Sequence, residues 1–415
     1  MNARLSRRAF VTTSAGAVFA TAALPDGYAA TPGPRGPKRA YVLVVDGCRP
    51  DEITPVLTPT LAGLRNGGMN FPRATSLPVM ETIPNHVMMM TGLRPDRTGV
   101  PANAIYDRRL GDTRTLDQPR DLRSSTVIQR LNKAGFTTAT VLSKDYLVGI
   151  FGKRATYRWV PQGYIPVSGH VPDAATMDAT LSMIEDHDPN MVFVNLGDID
   201  RMGHSDETGP TPVQAARRAA LADTDAQVAR LVQELRSSGR WEHSLVVVLA
   251  DHSMDWSLPD ARVAVGPALE ADPLLAGKVA IAENGGAELL YWLGPDSERD
   301  AAVTRMRRAA LSVDGVLRAH PRTRRSLRLG PEAGDVVLFC EPGRRFSEAP
   351  QNNPIPGNHG HPVTRPIPFF LSGGHPRVPR GSSRGRARTM DVAPTLSRFF
   401  GVGGPRGGYD GTSRL

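Results

Sequence analysis

Hydrophobic and polar positions along this chain follow two periods. Three short runs are apolar at nearly every position and rich in valine and leucine: 40–45, 191–196 and 245–249. A run without a polar face predicts a strand buried on both sides, as in a parallel sheet covered by helices. Between these runs the period lengthens to that of a helix. The segment 210–238 carries Ala215, Ala219, Leu221, Ala222, Val228, Leu231, Val232 and Leu235 at spacings near 3.6. Segments 126–134, 174–188 and 391–400 also read as helices. Strand and helix alternate, so the predicted fold class is α/β, a mostly parallel central sheet with helices on both faces. Residues 39–415 read as one catalytic domain, with a less regular insert around 257–330.

Each apolar run leads into acids. Asp46-Gly47 ends the first, Gly197-Asp198-Ile199-Asp200 the second and Ala250-Asp251-His252 the third. Open α/β sheets place ligand sites at the C-terminal ends of their strands. Asp200 and His204 lie four residues apart, so they share one face of a helix. In a turn, Gly203 would instead bend the backbone to bring them together. The neighbours Asp251 and His252 can converge because the strand ends there. The loop at 357–362 holds His359 and His361, and spacing alone leaves either as a ligand. Three carboxylates and three imidazoles suit two zinc ions, with manganese or iron as substitutes.

A hydroxyl joins this set. Thr82 stands before Ile83-Pro84-Asn85-His86, which predicts a helix with proline in its first turn and Thr82 as its N-cap. Free N–H groups there would favour a phosphate. By itself such a threonine is only a cap. Beside a metal-ligand set it reads as a nucleophile, because a threonine hydroxyl needs a base or metal to ionise it.

Charge and composition add less. The chain of 415 residues carries a net charge of +9, nearly all of it from arginine, since there are only five lysines. The excess suits acidic ligands such as phosphate esters, although compositional bias also accounts for it. No block of basic and aromatic residues resembles a nucleic-acid reader. Cys48 and Cys340 form no C-x-x-C pair, and sequence leaves open whether they bridge. Ser6-Arg7-Arg8-Ala9-Phe10 followed by an alanine-rich stretch to Leu24 reads as a twin-arginine export signal over 1–30, with a Pro/Gly linker at 31–38. Export through that pathway is therefore expected. No later stretch approaches the roughly 18 apolar residues of a membrane span.

Taken together, these motifs resemble the alkaline phosphatase superfamily, and within it the type I phosphodiesterase / nucleotide pyrophosphatase family. The resemblance rests on Val45-Asp46-Gly47 with Arg49-Pro50-Asp51, on Thr82-Ile-Pro-Asn-His86 followed by Thr91-Gly-Leu-Arg-Pro95, and on Asp200/His204, Asp251/His252 and His359-Gly360. Gly334-Asp335 and Asp391-Val-Ala-Pro-Thr395 also match family segments. It implies an alkaline-phosphatase-like fold with the active site at the C-terminal strand ends. Asp46, Asp251 and His252 would hold one zinc with Thr82 as its reactive ligand; Asp200, His204 and His359 would hold the other. Asn103 would donate to a phosphoryl oxygen. The chain departs from the pattern at Ser253, where glycine is usual. No cysteine or serine replaces Thr82, which disfavours a sulfatase. The implied activity is hydrolysis of phosphodiesters or nucleotide pyrophosphates by double displacement, with a small phosphate ester or nucleotide as substrate. Alternatives are a monoesterase or phosphonate hydrolase, for which Arg49 and Arg94 are the candidate extra cations, and a metal-stabilised binding protein without turnover.

Overall fold

The three apolar runs fold as adjacent parallel strands. In the computed structural model, which describes residues 38–166, 168–206, 214–257, 261–349 and 356–415, Arg39–Val45 lies between Met191–Leu196 and Ser244–Leu249. All residues of these strands are buried, as expected for β-branched side chains covered on both faces. Thr138–Leu142 adds a fourth parallel strand beside Met191–Leu196. Its alternating threonines hid it from the apolar count, yet it too is buried throughout.

The complete sheet has eight strands, in the order Gly381–Ser382, Met69–Asn70, Phe369–Ser372, Ser244–Leu249, Arg39–Val45, Met191–Leu196, Thr138–Leu142 and Tyr157–Arg158. Phe369–Ser372 runs antiparallel to its neighbours on both sides, so the sheet is parallel through its centre and mixed at one edge. Helices cover both faces in two mutually packed groups. One comprises Pro59–Gly67, Asp173–His187 and Ala215–Ser237; the other comprises Thr82–Thr91, Val127–Lys133 and Val392–Phe400. No helix among the described residues is long and apolar enough to cross a membrane. The export signal and all but the last residue of the linker lie outside the described residues, as do 207–213 at the start of the long predicted helix.

Two expectations need correction. In the long helix, Ala215, Ala219 and Ala222 face solvent, while polar Arg217, Thr224 and Asp225 are buried. Counting small apolar residues misplaced part of the stripe, because this face holds the catalytic loops as well as the core. Asp225 caps Pro59–Gly67 through the N–H groups of Thr60 and Leu61. Arg217 pairs with Glu52 and donates to the carbonyls of Gly47 and Ile199, which tie together the loops carrying Asp46 and Asp200.

The segment expected to be less regular instead forms an antiparallel sheet in the order Val279–Asn284, Ala287–Trp292, Val336–Cys340 and Val316–Pro321. Helix Arg299–Leu311 packs on it, around a second apolar core that includes Trp292, Met306 and Leu338. Hairpin pairing of short strands masked the regularity, and the last strand lies beyond the boundary near 330. Cys48 and Cys340, whose pairing the sequence leaves open, are both buried free thiols.

Candidate metal centre and active site

The C-terminal ends of the parallel strands bring Asp46, Asp200 and Asp251 together. Asp46 follows Arg39–Val45 and keeps a sheet hydrogen bond to Leu196. Asp251 follows Ser244–Leu249. Asp200 lies in helix Asp198–Ser205, so the helical alternative for Asp200 and His204 is the one observed, with Asp200 Oδ1 and His204 Nε2 3.4 Å apart. Gly203 therefore does not bend a turn. It makes room, since a Cβ there would lie 2.3 Å from Arg217 Nη1.

In each carboxylate one oxygen is held and the other is not. Asp46 Oδ2 accepts from Asn195 at 2.8 Å, and Lys144 Nζ lies 2.9 Å away. Asp200 Oδ2 accepts from Lys144 at 2.7 Å. Asp251 Oδ1 accepts the N–H groups of Gly47 and His252. The opposite oxygens, Asp46 Oδ1, Asp200 Oδ1 and Asp251 Oδ2, are buried without a hydrogen-bond partner. Buried acceptors are costly to leave unmatched, so these three oxygens call for cations.

The histidines are oriented by the same logic. His252, His204 and His359 each donate Nδ1–H to a backbone carbonyl, of Ser253, Gly357 and Met80 respectively. Each therefore presents the lone pair of Nε2, the arrangement that prepares a neutral imidazole for a metal. Burial pushes His252 down to about 4 and His359 well below the usual histidine range, so both are neutral. Burial raises the Asp46 carboxyl, aided by the neighbouring Asp251 charge. Burial also works against Asp200, but Lys144 and His204 hold it well below the ordinary carboxylate range.

The residues implied for each ion lie together. His252 Nε2 is 3.3 Å from Asp251 Oδ2 and 3.8 Å from Asp46 Oδ1, with Thr82 Oγ1 at 3.2 Å. Asp200 Oδ1 is 3.9 Å from His359 Nε2. The groups interlock, because Asp200, His252 and His359 also converge, as do Asp46, His86 and Asp251. His86 nevertheless makes a poor ligand. Its Nδ1 donates to Thr82 carbonyl at 2.9 Å, and its Nε2 faces the amide of Asn195 at 3.1 Å, which uses both ring nitrogens.

His361 lies outside this cluster, with Nε2 2.9 Å from Asp255 Oδ2. We expect His359→Ala to lose at least about a hundredfold more activity than His361→Ala, given the cost of losing one metal ligand. Comparable losses would remove His359 from the ligand set.

Thr82, expected as the N-cap, is instead the first residue of helix Thr82–Thr91, buried one position inside the extended cap residue Glu81. The helix terminus is also less open than expected. Pro84 has no N–H, and Ile83 donates to Asn103 Oδ1 at 2.8 Å. That leaves the N–H of Thr82 and, because the Asn103 oxygen is committed, the Asn103 NH2 for a ligand. Glu81 accepts the Asn103 N–H at 2.7 Å and so clasps the asparagine loop, while burial pushes its own carboxyl up to about 8. Asn284 of the second sheet holds Ala104 through both its amide atoms.

A cavity of about 270 Å³ opens over Thr82, Asn103, Asp200, His204 and His359. Arg201, Tyr146 and Arg345 line its walls. Arg49 and Arg94, the candidate extra cations, do not. Arg49 pairs with Asp51, and Arg94 donates to the carbonyls of Ser326 and Leu327. Sequence reasoning missed Lys144, Glu81 and Arg201. Lys144 obeys the rule that found the acids, since it closely follows the end of a core strand, but that strand went unrecognised.

The sequence profile of the type I phosphodiesterase / nucleotide pyrophosphatase family matches residues 40–362. The chain belongs to this family. Among curated relatives, it is 22% identical to human ectonucleotide pyrophosphatase/phosphodiesterase family member 5 over 88% of this chain and 75% of that protein. It is 24% identical to the Bos taurus bis(5'-adenosyl)-triphosphatase ENPP4 over 52% of this chain and 48% of that protein. The fold is that of murine ectonucleotide pyrophosphatase/phosphodiesterase 5, solved as an inactive variant with AMP (TM-score 0.72, 16% identity, 88% of this chain and 96% of that one). It is also that of phosphonoacetate hydrolase from Sinorhizobium meliloti in complex with phosphonoformate (TM-score 0.65, 20% identity, 88% and 94% coverage). Family membership makes this chain an enzyme of the phosphodiesterase and pyrophosphatase type.

Proposed function

We propose that the chain hydrolyses phosphodiesters or nucleotide pyrophosphates through Thr82, with two divalent ions, preferably zinc, bound by Asp46, Asp251 and His252 and by Asp200, His204 and His359. The observation that carries this reading is the three orphaned carboxylate oxygens facing three prepared imidazoles around one hydroxyl. When bound, the ions would supply positive charge that lowers the Thr82 hydroxyl pKa and offsets charge on the departing oxygen. Thr82 Oγ then attacks phosphorus in line. A P–O bond to Thr82 forms, the bond to the leaving oxygen breaks, and water later cleaves the phosphothreonine ester. The Thr82 N–H and the Asn103 NH2 are placed to receive phosphoryl oxygens, as donors do in oxyanion holes. Glu81 positions Asn103, and Asn195 and Lys144 hold the ligand carboxylates.

One relative supports this reading. The murine structure binds AMP, and its inactive form is a threonine-to-alanine variant. The test is hydrolysis by zinc-loaded protein of thymidine 5'-(4-nitrophenyl) phosphate, 4-nitrophenyl phosphate and ADP. We expect turnover of the diester or of ADP. Loss of both, with both ions bound, would sink the assignment and favour a binding protein.

A further inference from the structure

We propose that Arg201 is the recognition point for a second negative charge on the substrate, beyond the one carried by a simple diester. This rests on the catalytic reading above and narrows its substrate class. Arg201 follows the ligand Asp200 in helix Asp198–Ser205 and lines the cavity over Thr82. It is half-buried, yet it makes no ion pair among the described residues. Its one side-chain hydrogen bond among the described residues is a long contact of 3.4 Å from Nη2 to the Tyr146 hydroxyl. Its Nε is buried and lacks any acceptor. The Tyr146 ring lies 5.8 Å from the guanidinium and holds its orientation.

These facts separate Arg201 from many other buried or half-buried arginines of the chain. Arg217, Arg114 and Arg49 each face a carboxylate. An arginine fork with its Nε side left open matches the two oxygens of a phosphate or carboxylate. Burial without a partner is unfavourable, so an incoming oxyanion meets a cation already stripped of much of its water. A plain diester has a single negative charge, which the metal side of the cavity and Asn103 are placed to engage. The unused fork fits a substrate with more: the second charge of a monoester or phosphonate, or an anionic group beyond the scissile bond, as in a nucleoside diphosphate.

The test compares wild type, Arg201→Met and Arg201→Lys as full-length, zinc-loaded proteins with the same three substrates. Methionine keeps the stem and loses the charge; lysine keeps the charge and loses the fork. We expect Arg201→Met to lower kcat/KM for a doubly charged substrate roughly 10- to 100-fold more than for the diester, mostly through KM, with partial recovery in Arg201→Lys. A selective loss on 4-nitrophenyl phosphate places the recognised charge on the reacting phosphoryl group. A selective loss on ADP places it on the leaving side. Equal losses on all three, or no loss, overturn the proposal. If wild type turns over none of them, the catalytic reading fails by itself. Calorimetric binding of inorganic pyrophosphate then still decides the role of Arg201: at least tenfold weaker binding to Arg201→Met supports it, and unchanged binding refutes it.

Discussion

Thr82→Ala is expected to reduce turnover by about three orders of magnitude or more while both ions stay bound. The side chain is buried at a helix start, 3.2 Å from the Nε2 of His252 and beneath the substrate cavity. Its removal leaves the three carboxylates and three imidazoles in place, and each of those is fixed by bonds that do not involve the hydroxyl. Asp46 is held by Asn195 and Lys144, Asp251 by Gly47 and its own neighbour, and the histidines by backbone carbonyls. Metal content should therefore match wild type, and Thr82→Ser should keep part of the activity because the hydroxyl survives. A metal-activated water acting alone would give a smaller loss. Stereochemistry separates the routes. A chiral phosphorothioate diester should be hydrolysed with net retention, since two in-line displacements each invert. Clean inversion would eliminate Thr82 as the nucleophile.

Much of this site could be read from the chain because a parallel sheet concentrates chemistry at strand ends. An apolar run followed abruptly by Asp46, or by Asp251-His252, marks the point where the chain leaves the core. What could not be read were residues whose role depends on a distant partner. Lys144 lies between Asp46 and Asp200, which follow two different strands, so its sequence context gives no hint of the pairing. Arg201 looks like any charged residue in D-x-x-G-H until its lack of a counterion is seen. Gly203 left a turn open beside the helix that is observed, because glycine serves close packing as well as turns. The second sheet was missed although Val336–Cys340 is apolar throughout, because its partners Ala287–Trp292 and Val316–Pro321 break their apolar residues with Glu288 and with Arg318 and His320. Its Asn284 grips the loop that carries Asn103, so the segment that looked like an irregular insert positions part of the phosphate site.

Exhaustive chelation is expected to abolish activity and to lower thermal stability, and returning zinc should restore both. The electrostatics of the empty cluster explain why the two effects go together. Three buried carboxylates face the ammonium of Lys144, while burial holds the His252 and His359 rings below the usual histidine range, so these two add no positive charge. That leaves negative charge in a buried volume, with one oxygen of each aspartate lacking a donor. Lys144 relieves Asp46 and Asp200, and its ion pairs among the described residues do not reach Asp251. Ions that bind only the folded chain stabilise it by mass action, about 4 kcal/mol when free metal exceeds its dissociation constant a thousandfold. Lys144→Met should make the metal-free protein less stable still, by removing the ammonium that faces Asp46 and Asp200, and should leave it more dependent on zinc. Metal analysis of the loaded protein should give two ions per chain. Full activity in protein shown to be metal-free, or an unfolding temperature that zinc does not move, would contradict the assignment of these carboxylates as ligands.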